Sequence, residues 1–235
     1  MDGIIVINKP EGYTSFDVVS VMKKLFSQKK VGHAGTLDPI ATGVLPILLG
    51  SATKAQDMFP NSDKEYIAEF KLGITTDTLD ITGKALTQSN IYVNKFQVEE
   101  ALKYFKGNIK QTPPMYSALK KDGKKLYELA RKGIEVQREQ RNITIKEIEL
   151  MDFNEQEQTG VIRVLCSKGT YIRSICDDLG SNLGCGAIMT NLKRTMACGF
   201  KIEESLTINE ARKLSEIGKL NEKVIGIDKI FMMYR

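Results

Sequence analysis

The sequence predicts an α+β protein, and three observations carry that prediction. Apolar and polar residues alternate over 64–72 and 161–167, the period of a half-buried strand; apolar residues recur at helical spacing after Thr14, over 96–105 and after Thr170; and the two kinds of segment are interspersed. A chain of 235 residues can bury a core as one large domain or two small ones. Hydrophobic residues at 42% and charged residues at 27% are those of a soluble globular protein, and a net charge of +5 modestly favours a polyanionic partner.

The elements follow in order. Residues 3–8 form a short strand closed by Lys9-Pro10-Glu11-Gly12. Thr14-Ser15-Phe16-Asp17 reads as a capping box, after which Val18, Val19, Met22, Leu25 and Phe26 give the buried face of a helix. Residues 44–49 form a compact apolar strand, in which Pro46 implies an edge or a bulge. A short helix begins at 50–54. In the strand over 64–72, Tyr66 shares the apolar face with Ala68, Phe70 and Leu72. The helix over 96–105 stops at Lys106-Gly107, and 113–141, rich in lysine around Met115 and Tyr116, is expected to be a basic mobile insertion. Extended chain then runs to Phe153. After the strand at 161–167, Thr170 is a plausible N-cap for a helix burying Ile172, Ile175, Cys176 and Leu179. Residues 183–198 are Gly-rich and then carry Leu192-Lys193-Arg194, and 206–220 read as the last helix. The chain closes at 227–235 with no linker.

Between the first helix and the second strand lies Gly32-His33-Ala34-Gly35-Thr36-Leu37-Asp38-Pro39-Ile40-Ala41-Thr42-Gly43-Val44-Leu45-Pro46, too apolar for an ordinary surface loop and too rich in Gly and Pro for a helix or central strand. Pro39 pushes Asp38 out of helical space, so its carboxylate is presented from a stiff turn. An Asp-Pro turn is the plain alternative. Asp77 and Asp80, in a Thr-rich loop, suit backbone capping better than a metal site. Cys166, Cys176, Cys185 and Cys198 have no Cys-x-x-Cys spacing and one His to join them, which argues for buried free thiols and against zinc. The N-terminus has no basic leader and no span-length apolar run, which points to a cytoplasmic protein. Arg173, in the first turn of its helix, opposes the helix dipole. It either pairs with Asp177 or points at a carboxylate from elsewhere in the chain.

Several motifs in register resemble one family. Lys9-Pro10-x-Gly12-x-x-Ser15, the stretch 32–46, Lys64-x-Tyr66 with Thr76-Asp77-Thr78-x-Asp80-x-x-Gly83, 113–120, and Ser167-Lys168-Gly169-Thr170-Tyr171-Ile172-Arg173 occur in this order in bacterial tRNA pseudouridine synthases of the TruB family. The resemblance covers residues 3 to about 220. It implies the pseudouridine synthase fold, a large mixed, mostly antiparallel sheet flanked by helices and loops, and isomerisation of the T-loop uridine numbered 55 in tRNA.

The same resemblance implies roles. Asp38 matches the catalytic aspartate, Arg173 the arginine that pairs with it, and Tyr66 the tyrosine stacked on the target base. His33 matches the histidine that fills the space left by the flipped base, while Tyr171 and Leu192 match positions lining the uracil pocket. Lys9, Lys54, Lys120 and Arg194 are candidate phosphate contacts. No cofactor and no metal are implied, and the partner is the tRNA T arm, with no membrane and no obligate protein partner. Family members usually continue into a C-terminal PUA-type domain, which this chain is expected to lack. The competing readings are a non-catalytic RNA-binding protein or tRNA-folding chaperone on the same scaffold, and a metal-dependent hydrolase built on Asp77 and Asp80, which lacks ligands.

Overall fold

The computed structural model describes residues 1–59 and 62–226; the stretch 227–235, read from sequence as closing the chain without a linker, lies outside the described residues. In chain order the elements begin with β1 (Gly3–Lys9), α1 (Ser15–Leu25), β2 (Val31–His33), β3 (Thr42–Leu49), a 3-10 segment (Gly50–Met58) and β4 (Lys64–Leu72). There follow β5 (Ile74–Thr76), β6 (Ala85–Gln88), α2 (Lys95–Lys103), β7 (Gly107–Gln111), β8 (Lys120–Lys121), β9 (Lys124–Lys125) and α3 (Leu126–Ala130). The last are β10 (Arg141–Asn154), β11 (Thr159–Cys166), α4 (Ile172–Asn182), β12 (Ala187–Ala197), β13 (Phe200–Lys201), β14 (Leu206–Thr207) and α5 (Ile208–Glu216). The class is α+β, as the sequence predicts, and antiparallel strand pairs dominate. The chain divides into two compact units, residues 1–66 with 192–235, and residues 67–191.

In the first unit β3 runs antiparallel to β1 and to β2, and parallel to β12 through Lys193 opposite Thr42 and Arg194 opposite Gly43. Both faces of β1 and β3 are covered, which explains their unbroken apolar sequences. Ile5, Ile7, Leu45, Ile47 and Leu49 pack with Val18, Val19 and Met22 of α1 and with Ile208 and Ala211 of α5. Ile4, Val6, Val44 and Leu48 pack on the other side with Ala34, Ala52, Ala197 and Phe200. Each such side chain, fully buried, contributes about 1.5–3 kcal/mol, so this two-sided core outweighs any surface ion pair of the unit. The predicted capping box on α1 is present, with Thr14 at the N-cap and Asp17 returning the bond.

The structure departs from the sequence reading at three places. Pro46 is interior to β3, neither at its end nor at a bulge: Val6 of β1 lies opposite it, and its carbonyl accepts the Ala34 N–H at 2.9 Å on the other side. A strand residue's N–H and C=O point the same way, so the missing N–H falls past the end of β2, where no ladder bond is lost. Residues 187–197 form strand β12, an element the sequence reading does not contain. The N-cap of α4 is Tyr171, whereas the Thr170 hydroxyl donates to the Ser167 carbonyl at 3.0 Å.

In the second unit β10 pairs antiparallel with β7 and with β11. Ala68, Phe70 and Leu72 of β4 are buried, and so are Ile162, Val164 and Cys166 of β11 and Val98, Ala101 and Leu102 of α2, as the alternation and the helical spacing predict. Phe70 stacks on Phe153 at 6.2 Å, and only a glycine fits at 160, where a Cβ would stand 2.4 Å from the Phe70 ring. The basic segment 113–141 carries the β8–β9 hairpin and α3. All four cysteines are buried free thiols. Among the described residues no helix is long and apolar enough to cross a membrane.

Gly43 fixes the β3–β12 register, since its φ is +106° and a Cβ there would stand 2.2 Å from the Arg194 carbonyl oxygen. Gly12 also has a positive φ, +80°, but faces open space. Urea unfolding is expected to show a loss above about 3 kcal/mol for Gly43→Ala and about 1–2 kcal/mol for Gly12→Ala. Equal losses would contradict the close approach.

Candidate active site

In the first unit the loop between β2 and β3 is fastened through its backbone. The Ser15 hydroxyl, buried at the start of α1, accepts the Leu37 N–H at 2.9 Å and donates to the Leu37 carbonyl at 3.2 Å, fixing the residue before Asp38. The Asp38 carbonyl accepts the Ala41 N–H at 3.0 Å, closing a turn with Pro39 second, a position its locked φ suits. The half-buried Asp38 thus stands on a stiff turn, as the sequence predicts.

Two buried cations complete the fastening. The Lys9 ammonium donates to the carbonyls of Tyr13 at 2.6 Å, Pro10 at 2.9 Å and Pro39 at 3.3 Å, joining the turn after β1 to the Asp38 turn. Arg194, carried by β12, donates from Nε to the Val44 carbonyl at 2.7 Å, from Nη2 to Gly35 at 3.0 Å and from Nη1 to Thr36 at 3.4 Å. Both residues are 0% exposed. They therefore correct the expectation of phosphate contact: their donors are spent on carbonyls inside the fold. The signal was available for Arg194, which shares the buried parity of β12 with Leu192. Lys54 and Lys120 are exposed, Lys120 on the β8–β9 hairpin, where a solvated cation can meet a phosphate.

Burial pushes the Lys9 ammonium down from 10.5 to about 8, with the Asp38 charge pulling it back up and Arg194 pushing it further down. That attraction between the Lys9 and Asp38 charges is mutual. His33 ends β2, half-buried, with its ring perpendicular to that of Phe16 and the centroids 5.8 Å apart. Burial, then Arg194, holds its pKa below the usual 6.5. A neutral imidazole suits stacking. Tyr66 on β4 and Leu192 on β12 are each 6% exposed.

In the second unit Arg173 occupies the first turn of α4 and is buried. Its Nη2 donates to the Tyr116 carbonyl at 2.7 Å and its Nη1 to the Thr78 carbonyl at 2.9 Å, and Nη1 lies 3.7 Å from Oδ2 of the buried Asp80. The other Asp80 oxygen, Oδ1, accepts from the Thr82 and Thr78 hydroxyls at 2.6 and 2.7 Å and from the Thr82 N–H at 3.0 Å. Asp80 is therefore both the backbone cap the sequence suggests and an ion-pair partner 93 positions from Arg173, which sequence reasoning missed. Asp80 is a carboxylate from elsewhere in the chain, the second of the two readings of Arg173. A second omission is Gln111. Its side chain accepts the Tyr171 N–H at 2.8 Å and donates to the Tyr171 carbonyl at 3.0 Å, setting the start of α4 and with it Tyr171 and Arg173. Among the described residues no group of three or more His, Cys, Asp or Glu is gathered as a metal site requires.

Comparison with known proteins places the chain in a family. A solved Cbf5–Nop10–Gar1 complex contains a chain that shares this fold, with a TM-score of 0.74 and 30% identity over 97% of this chain and 61% of that one. The family model described as TruB family pseudouridylate synthase (N terminal domain) matches residues 23–172, and that described as tRNA pseudouridylate synthase B C-terminal domain matches 173–226. The tRNA pseudouridine synthase B of Clostridium kluyveri is 47% identical over 100% of this chain and 79% of its own length, and that of Fusobacterium nucleatum 52% identical over 86% and 70%. The chain belongs to the TruB family of tRNA pseudouridine synthases, isomerases acting on uridine in tRNA.

The Lys9 shift sets a pH dependence of stability. Below about pH 8 native and unfolded chains both hold the proton, and the native state bears the whole cost of burying the charge. Between about 8 and 10.5 the unfolded chain keeps a proton the native chain has released, so this contribution to stability rises with pH. The unfolding free energy of the native sequence, measured against Lys9→Met in urea, is expected to climb across that window and stay level below it. A fall across the window would contradict the burial.

Proposed function

We propose that the chain converts the T-loop uridine at position 55 of tRNA to pseudouridine, with Asp38 as nucleophile acting on a base flipped out of the loop. The observation that carries this reading is the carboxylate of Asp38 held on a turn whose neighbours on both sides are bonded to Ser15, Lys9 and Arg194. A nucleophile fixed before substrate arrives avoids the ordering cost at the moment of reaction. The N-glycosidic bond breaks, uracil turns while held, C5 bonds to the ribose C1′, and the proton on C5 leaves as N1 gains one. The atoms balance without electron transfer, so neither a redox cofactor nor a metal is needed.

Tyr66 serves as the stacking partner of the target base and as a candidate base for the C5 proton. Arg173 serves the same step by favouring the charged form of the catalytic carboxylate, and Tyr171 and Leu192 hold the uracil. His33, neutral at physiological pH, occupies the place of the extruded base, offsetting part of the unstacking cost. Lys54 and Lys120 meet the RNA backbone, which in folded RNA is read mainly through shape. The enzyme works in the cytoplasm on the T arm, with no obligate protein partner.

Tritium release from tRNA carrying 5-tritiated uridine tests this reading. The native chain is expected to release the label of one nucleotide, position 55, and Asp38→Asn none, while still binding tRNA. Release by Asp38→Asn at the native rate, or from another position, would overturn it.

A further inference from the structure

Phe16 lies in the first turn of α1 and is 69% exposed, although it follows Ser15, which is 2% exposed. Its backbone is fixed on both sides. The Thr14–Asp17 capping box spans it, and the Ser15 hydroxyl is bonded to both backbone groups of Leu37. The position of Phe16 is therefore tied to the residue next to Asp38. An exposed phenyl ring gains nothing from the core, and among the described residues the aromatic it meets is His33, with the two rings at 87°. In a perpendicular pair at most one face of either ring meets the partner, so at least one face of Phe16 is clear of His33. A stacking surface thus stands open to solvent beside the Asp38 turn.

We propose that Phe16, together with His33, forms a stacking site for one unpaired base of the RNA loop, a nucleotide other than the target. The inference rests on the tRNA reading above and extends it to a residue without an assigned role. Unpaired bases are recognised chiefly by stacking on aromatic rings, and every base has a face to offer. The neighbouring imidazole is neutral, so the corner presents two uncharged rings and favours a base over a phosphate. The perpendicular contact also holds the His33 ring in one orientation, which couples the two residues.

Binding of a fluorescent T-arm hairpin by native chain, Phe16→Ala, Phe16→Leu and Phe16→Tyr tests the proposal. Loss of one base stack is expected to raise Kd roughly 5- to 100-fold for the Ala and Leu variants, while Tyr binds like the native chain. Because the ring is exposed, the thermal midpoints of all three variants are expected to match the native one. A set of hairpins, each abasic at one loop nucleotide, is expected to contain one to which native chain and Phe16→Ala bind equally. Native-like binding by Phe16→Leu, or a difference that survives at every abasic position, would overturn the proposal. Failure of the tRNA reading looks different, since the native chain itself would then form no pseudouridine.

Discussion

The guanidinium of Arg194 is the interaction on which the Asp38 loop depends. From β12 it reaches carbonyls on both sides of Asp38, those of Gly35 and Thr36 before it and of Val44 after it. Burying a guanidinium is costly unless its donors are satisfied, and here backbone oxygens satisfy them. The consequence is a loop that cannot move as a whole without exposing or orphaning a buried charge. Lys9 acts in the same way from the other side through Pro39. The strands supply the rigidity: β12 is parallel to β3, and the close approach of Gly43 to the Arg194 backbone sets where the guanidinium begins.

The second unit repeats the device with a different chemistry. Arg173 is fixed by two carbonyls and by Asp80, and Asp80 is in turn fixed by the Thr78 and Thr82 hydroxyls. A cation in the first turn of a helix opposes the dipole, and a buried carboxylate near the same end compensates for it. Gln111 adds the positional control by gripping the Tyr171 peptide at the helix start. Polar groups that look like surface decoration in the sequence are thus internal fasteners for the elements that carry the candidate residues.

Legibility in the sequence followed the range of the interaction. The strand β4 was readable because one face is buried and the other is not, so Tyr66, Ala68, Phe70 and Leu72 stand out at period two. The caps of α1 were readable because Thr14 and Asp17 act over three residues. The strand β12 was not, because its buried face includes Arg194 and its start follows Gly184 and Gly186, which mark loop. Lys9 and Arg194 were read as phosphate contacts because a basic residue is solvated by default, and only the fold shows carbonyls gathered around them. The Asp80–Arg173 pair was invisible for the same reason: nothing local distinguishes an aspartate that caps a turn from one that also meets a distant guanidinium. The turn that carries Asp38 was legible through its Pro39 neighbour.

The most direct test of the internal role of Arg194 is Arg194→Lys, followed by single-turnover pseudouridine formation and by tRNA affinity over a range of salt. A side chain that fastens the Asp38 loop predicts slower turnover, with Kd and its salt dependence unchanged. Unchanged turnover with weaker binding, and a slope of log Kd against log salt reduced by about one, would put Arg194 against a phosphate and contradict the fastening.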